Sequence, residues 1–121
     1  MAETNKPIQK TRIDATTWEP YPMPKEILVE GDPAAQVHWL KVSAEGEPAY
    51  YAGLWTAQPS TFDYTFPMNE TAHVLEGHVV VTRKDGPDVD LRPGDLVSFP
   101  AGAVTRWHVR APFKKFFIDT P

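Results

Sequence analysis

Hydrophobic and polar residues alternate in short runs along most of this chain, the pattern of half-buried β-strands. Residues 36–42 place Val37 and Trp39 on one face, and further along Phe62 and Tyr64 alternate with polar neighbours. From residue 27 onward the pattern predicts about ten short strands, with turn signals roughly every 8–12 residues and no convincing amphipathic helix. This spacing predicts an all-β sandwich or barrel.

Proline usage supports the same class. The chain has 13 prolines among 121 residues, about twice the ordinary share. Because proline fixes φ and lacks an N–H donor, this density disfavours long helices. Residues 1–25 are predicted to form an N-terminal arm, and residues 26–121 a single domain. Trp18, Tyr21 and Met23 either pin the arm to a neighbouring surface or belong to a loosely ordered tail.

Composition excludes several functional classes. Hydrophobic residues make up 41% of the chain and charged residues 23%, as in soluble globular proteins. A net charge of −4 disfavours non-specific binding to nucleic acid. The absence of cysteine excludes disulfides and thiolate chemistry. No apolar run approaches a membrane span, and the start lacks the apolar core of a signal peptide. We therefore expect a cytoplasmic protein.

Two spacings in the second half of the chain carry the most information. Glu70 is followed after six residues by Gly77, and Gly94 is followed after five residues by Pro100-x-Gly102. The glycines permit turns with positive φ between strands. The two spacings are similar to the end of the first cupin motif, G-x5-H-x-H-x3–4-E-x6-G, and to the start of the second, G-x5-P-x-G-x2-H-x3-N.

The chain therefore resembles the cupins, and within them the short single-domain group related to (S)-ureidoglycine aminohydrolase and the ethanolamine-utilisation cupins. The resemblance covers roughly residues 50–118 and rests on several short segments: Gly53-Leu54-Trp55, Val74-Leu75-Glu76-Gly77, Pro100-Ala101-Gly102, Trp107 with Val109, and Lys115-Phe116-Phe117. It implies a single-domain double-stranded β-helix, which is a jelly-roll barrel. It also implies a homodimer paired through sheet edges.

The metal histidines of the family have no counterparts at the expected places. Those places hold Tyr64 and Phe66 in one motif spacing, Asp63 and Thr65 in the other, and Thr105 in the second motif. Of the four usual ligands only Glu70 remains, and one carboxylate does not make a transition-metal site. We therefore predict that no metal or other cofactor is bound.

The four histidines leave one weaker alternative. Strand parity from Glu70 and Thr105 places His73 and His108 outside the barrel. The direction of His38 is not fixed by the pattern, and His78 beside Gly77 can turn either way. A displaced divalent-metal site using His78 and Glu70 is the alternative to a metal-free protein.

Glu70 is the best candidate for a catalytic residue, because parity turns its carboxylate into an apolar, aromatic barrel. There it suits acid–base work, or the binding of a cationic or hydroxylated ligand. Alternatively it is structural, capping loop amides or pairing with Arg106 or Lys115. The predicted ligand pocket consists of Tyr51, Trp55, Tyr64, Phe66, Glu70, Thr105 and Trp107. These aromatic residues either line a pocket or fill a barrel core, and as a set with Glu70 and Thr105 they favour a pocket.

Three functions follow from these alternatives. The preferred one is a metal-free cupin that binds a small polar metabolite, with its reaction unknown. The second is a metal-dependent cupin enzyme (an aminohydrolase, lyase or isomerase) with displaced ligands. The third is a non-enzymatic dimer module whose arm covers a sheet edge across a two-fold axis.

Overall fold

The structure is a computed structural model that describes residues 3–121, and it is built almost entirely of β-strands. One short 3-10 helix, Lys25–Ile27, interrupts them. Nine strands lie within the described residues: β1 (Glu19–Pro20), β2 (Leu28–Glu30), β3 (Gln36–Val42), β4 (Tyr51–Ala57), β5 (Ser60–Thr65), β6 (Asn69–Arg83), β7 (Val89–Leu91), β8 (Leu96–Phe99) and β9 (Val104–Thr120). The all-β prediction is confirmed. No helix in residues 3–121 is long and apolar enough to cross a membrane.

Strands β6 and β9 are far longer than the alternation suggests, with 15 and 17 residues. The sequence pattern divides each of them in two, at Gly77 and near Pro112, and this division is wrong. The chain bends at these points without breaking the strand. Gly77 has φ of 87°, and a Cβ there would stand 2.2 Å from the carbonyl oxygen of Pro112. Only glycine permits this conformation and this close approach.

The bends allow both long strands to run through two sheets. In one sheet the order is β1, β3, β4, residues 113–119 of β9, residues 69–76 of β6, and β8. In the other it is β2, β5, residues 104–109 of β9, residues 79–83 of β6, and β7. All of these pairings are antiparallel. Two strands shared by two sheets close the layers into a barrel around one core.

The predicted parity inside the barrel is correct. Glu70, Ala72 and Val74 on β6 are buried while His73 between them is exposed. On β9, Thr105 and Trp107 are likewise buried. One part of the interior is packed with aromatic rings: Phe66 stacks on Phe99 at 4.3 Å between centroids, and Phe62 stacks on Trp107 at 5.9 Å.

The N-terminal arm lies on the barrel of its own chain. Its strand β1 pairs with the outer edge of β3. His38 on β3 donates from Nδ1 to the carbonyl oxygen of Thr17 and accepts at Nε2 from the hydroxyl of Thr11, both at 2.6 Å. Tyr21 and Met23 pack against the core cluster. The arm therefore covers a sheet edge without a second chain, and the homodimer stays a prediction.

Candidate functional site

The barrel contains a cavity that combines aromatic walls with a few charged groups. Its enclosed volume is about 50 Å³, and the space including the mouth open to solvent is about 470 Å³. The arm, five strands and both sheets contribute to the lining: Tyr21, Met23, Trp39, Trp55, Phe62, Tyr64, Glu70, Trp107, Lys115, Phe117 and Asp119. Apolar walls with a small number of converging polar groups are the usual composition of a small-molecule site.

A buried ion pair lies in this cavity. The ammonium group of Lys115 on β9 contacts the carboxylate of Glu70 on β6, and the two residues are only 6% and 5% exposed. The same ammonium lies over two indole rings, 4.8 Å from the centroid of Trp55 and 4.9 Å from that of Trp107. The aromatic faces and the carboxylate together compensate for the water that the ammonium has lost.

Asp119 brings a second carboxyl group to the cavity, beside the first. It is the direct cross-strand partner of Glu70. Burial, reinforced by the neighbouring Glu70, raises the pKa of Asp119 to about 7. Its Oδ1 atom is enclosed and receives no hydrogen bond from a donor among the described residues. A proton held between the two carboxyl groups satisfies both observations, because it removes the repulsion and supplies the missing donor.

Two tyrosines add hydroxyl groups to the same cavity. Burial raises the pKa of Tyr64 well above its usual range, and it raises the pKa of Tyr21 as well. Both phenols therefore keep their protons at neutral pH. The cavity thus offers an ammonium and two hydroxyls as donors, together with two carboxyl groups, of which Asp119 has a raised pKa.

Four of the seven residues predicted for the pocket line this cavity, namely Trp55, Tyr64, Glu70 and Trp107. The structure also decides between the structural partners proposed for Glu70. Its carboxylate pairs with Lys115, while Arg106 instead forms a two-pronged pair with Asp63 on the outer face, at 2.7 and 3.1 Å.

The other three predicted pocket residues lie outside the lining for separate reasons. Tyr51 is half-buried against Trp39, at 6.1 Å between ring centroids. Phe66 stacks on Phe99 in the packed part of the core. Thr105 is buried, but its hydroxyl donates to the carbonyl oxygen of Tyr64 at 2.7 Å and accepts from Nε1 of Trp107 at 3.2 Å. That hydroxyl is occupied by structural hydrogen bonds.

His78 does not join Glu70. The two residues are eight positions apart on β6, on opposite sides of the bend at Gly77. His78 instead forms a 3.0 Å hydrogen bond with Asp90 on the neighbouring strand β7. Within residues 3–121 no three His, Asp or Glu side chains converge as metal ligands do. The alternative pair of Glu70 and His78 is therefore not brought together by the fold.

Several lining residues were missed as site residues, although the sequence carried a signal for some. Lys115, Phe117 and Asp119 continue the inward parity of Trp107 along β9, so two charged residues occupy positions that the alternation assigns to the interior. The arm residue Tyr21 carries no comparable signal, because its place depends on where the arm docks. Trp39 and Phe62 were recognised only as apolar strand positions.

Two bent strands that join two antiparallel sheets around such a cavity define a cupin barrel. This chain belongs to the EutQ-like cupin domain family, whose model matches residues 44–117. The match bears out the resemblance to cupins seen in the spacing of Glu70 with Gly77 and of Gly94 with Pro100. The relation to (S)-ureidoglycine aminohydrolase stays a prediction.

Solved structures share this fold. The EutQ protein of Clostridium difficile is 22% identical with a TM-score of 0.62, over 72% of this chain and 68% of that chain. A DUF861 family protein of Thermotoga maritima is 42% identical with a TM-score of 0.51, over 53% of this chain and 73% of that one. A DUF861 family protein of unknown function from Pseudomonas syringae reaches a TM-score of 0.79 at 22% identity, over 90% of this chain but only 46% of that chain. A search of curated proteins found no significant match.

Cupins commonly hold a metal, and the donor set of this cavity does not fit one. Tyr64 is a protonated phenol and Phe66 has no donor atom. The carboxylate of Glu70, the one ligand retained from the motif, is paired with the ammonium of Lys115. A divalent metal beside Glu70 would lie next to a buried cation, which repels it. The side chains present here suit an internal ammonium.

Proposed function

We propose that this protein binds a small polar molecule in the barrel and does so without a metal ion. The observation that carries the proposal is the cavity itself. Aromatic walls surround the paired Glu70 and Lys115, with Asp119 and two tyrosine hydroxyls facing the same space. A barrel that served only as a structural module gains nothing from this arrangement, because charged groups in the interior are costly unless they are used.

The chemistry of the lining describes the ligand in outline. The indole and phenyl faces suit a flat or apolar body, and the polar groups require hydrogen bonds from the ligand. Hydrogen-bond donors and acceptors are both present in the lining. The ligand therefore carries at least one group of each kind, or one of its groups takes the place of a proton in the cavity. The enclosed space is only about 50 Å³, so the cavity takes a small molecule or the end group of a larger one that extends into the mouth.

Thermal unfolding in the presence of ligand panels tests the proposal. Small amines, amides, ureides and acids are screened for an increase in melting temperature, since a ligand that binds only the folded state stabilises it. We expect at least one class to raise the melting temperature of the wild-type protein, and the shift to disappear in Glu70→Gln.

Glu76→Gln is the matched control. Glu76 lies on the same strand as Glu70 and pairs with Lys114, the neighbour of Lys115, at 3.7 Å. It faces outward and its side chain is 66% exposed. This variant should keep the full ligand shift. A panel without effect on the wild type, or equal loss of the shift in both variants, would contradict binding in the cavity.

A further inference from the structure

The two carboxyl groups of the cavity indicate what kind of ligand it takes. Glu70 and Asp119 are directly opposed across β6 and β9, and Oδ1 of Asp119 has no donor among the described residues. Two ionised carboxylates at this separation repel each other. One proton between them resolves the conflict, and Asp119 then counts as neutral.

The charge balance of the cavity follows from this proton. The ammonium of Lys115 balances the carboxylate of Glu70, so the set with a protonated Asp119 is neutral. An anionic ligand would place an uncompensated negative charge among aromatic rings, which is unfavourable. A cationic ligand does not create an uncompensated charge, because it can take the place of the proton and leave the total charge of the cavity unchanged.

The aromatic walls of the cavity also favour a positively charged ligand. Aromatic faces attract cations through their quadrupoles. The cavity already holds one ammonium in this way, since Lys115 lies over Trp55 and Trp107 and is 5.8 Å from the ring of Phe117. Trp39, which packs edge-on against Phe117 at 5.9 Å, also lines the cavity and has no cation over its face in residues 3–121.

We propose that the cavity selects small organic cations with N–H donors, such as amidines and amines, and that each one displaces the proton shared by Glu70 and Asp119. The inference rests on the proposed binding function and adds the class of ligand. The charged and titratable groups that face Asp119 are Glu70 on β6, Lys115 on its own strand, Tyr64 on β5 and Tyr21 on the arm. Both tyrosines stay protonated from acidic to mildly alkaline pH, so the carboxyl pair controls the response.

Three probes of nearly the same shape separate the alternatives: acetamidinium, acetamide and acetate. Their association constants are measured by ligand-observed NMR between pH 5.5 and 8.5, where acetamidinium stays a cation. Asp119 has a pKa of about 7, so its ionised fraction rises over this range. The constant for acetamidinium should rise about 30-fold, that for acetamide should stay level, and acetate should bind weakest at pH 8.5.

Asp119→Asn supplies the second measurement, because asparagine cannot release a proton. We expect this variant to lose the pH dependence and the preference for acetamidinium over acetamide. Asp63→Asn, which removes an outer-face carboxylate paired with Arg106, should bind all three probes as the wild type does. The wild-type pH series needs no variant, so it decides the matter even if Asp119→Asn does not fold.

If the probes bind, either of two results would overturn the inference: acetate binding more tightly than acetamidinium at pH 7 or above, or an acetamidinium constant that does not change with pH. If only neutral or acidic compounds bind, the cavity is a binding site of another class and the proposed function stands. If none of the three probes binds, the inference fails, and the proposed function fails with it only when the wider panel also has no effect on the melting temperature.

Discussion

Two ion pairs join the same two strands of this barrel, one on the inside and one on the outside. Lys115 and Lys114 are adjacent on β9, and each contacts a glutamate of β6, Glu70 inside and Glu76 outside. Each lysine also lies over tryptophan, Lys115 over Trp55 and Trp107 and Lys114 over Trp18 of the arm at 5.7 Å.

The two pairs have the same residue types and join the same strands, but they differ in their exposure to water. The inner carboxylate and ammonium are 7% and 8% exposed as side chains, whereas in the outer pair Glu76 is 66% exposed and Lys114 is 15% exposed. Glu76 of the outer pair is solvated whether or not its partner is present, and Lys114 keeps its hydrogen bond to the carbonyl oxygen of Ile13 when Glu76 is lost. Nothing replaces a lost partner inside, where the remaining charge is stranded. Each member of the inner pair therefore depends on the other for stability, whereas the outer pair contributes little.

The largest effect is expected from removing one inner charge. Lys115→Met leaves Glu70 without a counter-ion in the interior, and we expect the free energy of unfolding to fall by about 3–5 kcal/mol. Glu76→Met, which removes the exposed partner of the outer pair, should cost about 1 kcal/mol or less. Urea denaturation of both variants at pH 7 measures the difference. Similar losses at the two positions would show that the inner pair is solvated.

Removing both inner charges should cost less than removing one. In the double variant Glu70→Leu with Lys115→Met neither member of the pair is stranded, Asp119 is the carboxyl group that remains in the cavity lining, and apolar side chains of similar size fill the space. We expect it to recover most of the stability lost by Lys115→Met, and to lie within about 2 kcal/mol of the wild type. A double variant less stable than Lys115→Met would mean that the pair itself is strongly stabilising.

The response to pH should have opposite signs inside and outside. The pKa of Asp119 is raised to about 7 in the folded state, so its contribution to stability is present below its unfolded pKa and lost as pH rises through about 7. Because the residue is partly exposed, this loss should be at most about 2 kcal/mol. Arg106 lowers the pKa of Asp63 in the folded state. The contribution of Asp63 to stability is therefore present above its unfolded pKa and lost as pH falls through its folded pKa.

Melting curves from pH 3 to pH 8 separate these two contributions. Asp119→Asn should flatten the decline between pH 4 and pH 8, and Asp63→Asn should act only in the acidic range. The contrary result is a wild-type melting temperature that rises between pH 4 and pH 8, with the rise absent in Asp119→Asn. It would mean that this carboxyl group is better solvated than its position indicates.

The smallest effect is the response to salt. Double-mutant cycles give the coupling energy of each Glu–Lys pair. In 1 M NaCl the coupling of Glu76 with Lys114 should fall toward zero, since the Debye length is then about 3 Å. The coupling of Glu70 with Lys115 should change little, because ions do not enter a buried contact. Equal loss at both pairs would contradict a water-excluded inner site.

The inner and outer pairs also show how far the sequence alone leads. Alternation and the spacing of Glu70 with Gly77 predict the barrel and the inward direction of Glu70, because side-chain period and turn geometry are local properties. The sequence also indicates Lys115 as one of two possible partners of Glu70. It could not choose between Lys115 and Arg106, since that choice depends on the register of β6 and β5 against β9, and registers form between distant segments.

The lining of the cavity was less predictable for the same reason. Thr105 has the correct parity, but its hydroxyl is taken by the backbone of Tyr64 and the indole of Trp107. Tyr21 is far from the barrel motifs in sequence and reaches the cavity only because the arm docks on β3. Parity predicts which side of a sheet a residue faces. It does not predict whether that side is packed or open at that point.

Strand β9 has a consequence for how this molecule comes apart. It is paired on one edge by β6, and on the other by β5 over its first half and β4 over its second. Both sheets therefore lose a central strand if β9 detaches, and neither keeps a complete core. We expect the barrel to open as one cooperative unit, with the amide hydrogens of β9 exchanging only through global unfolding. The pocket groups Lys115 and Asp119 belong to the segment least free to move.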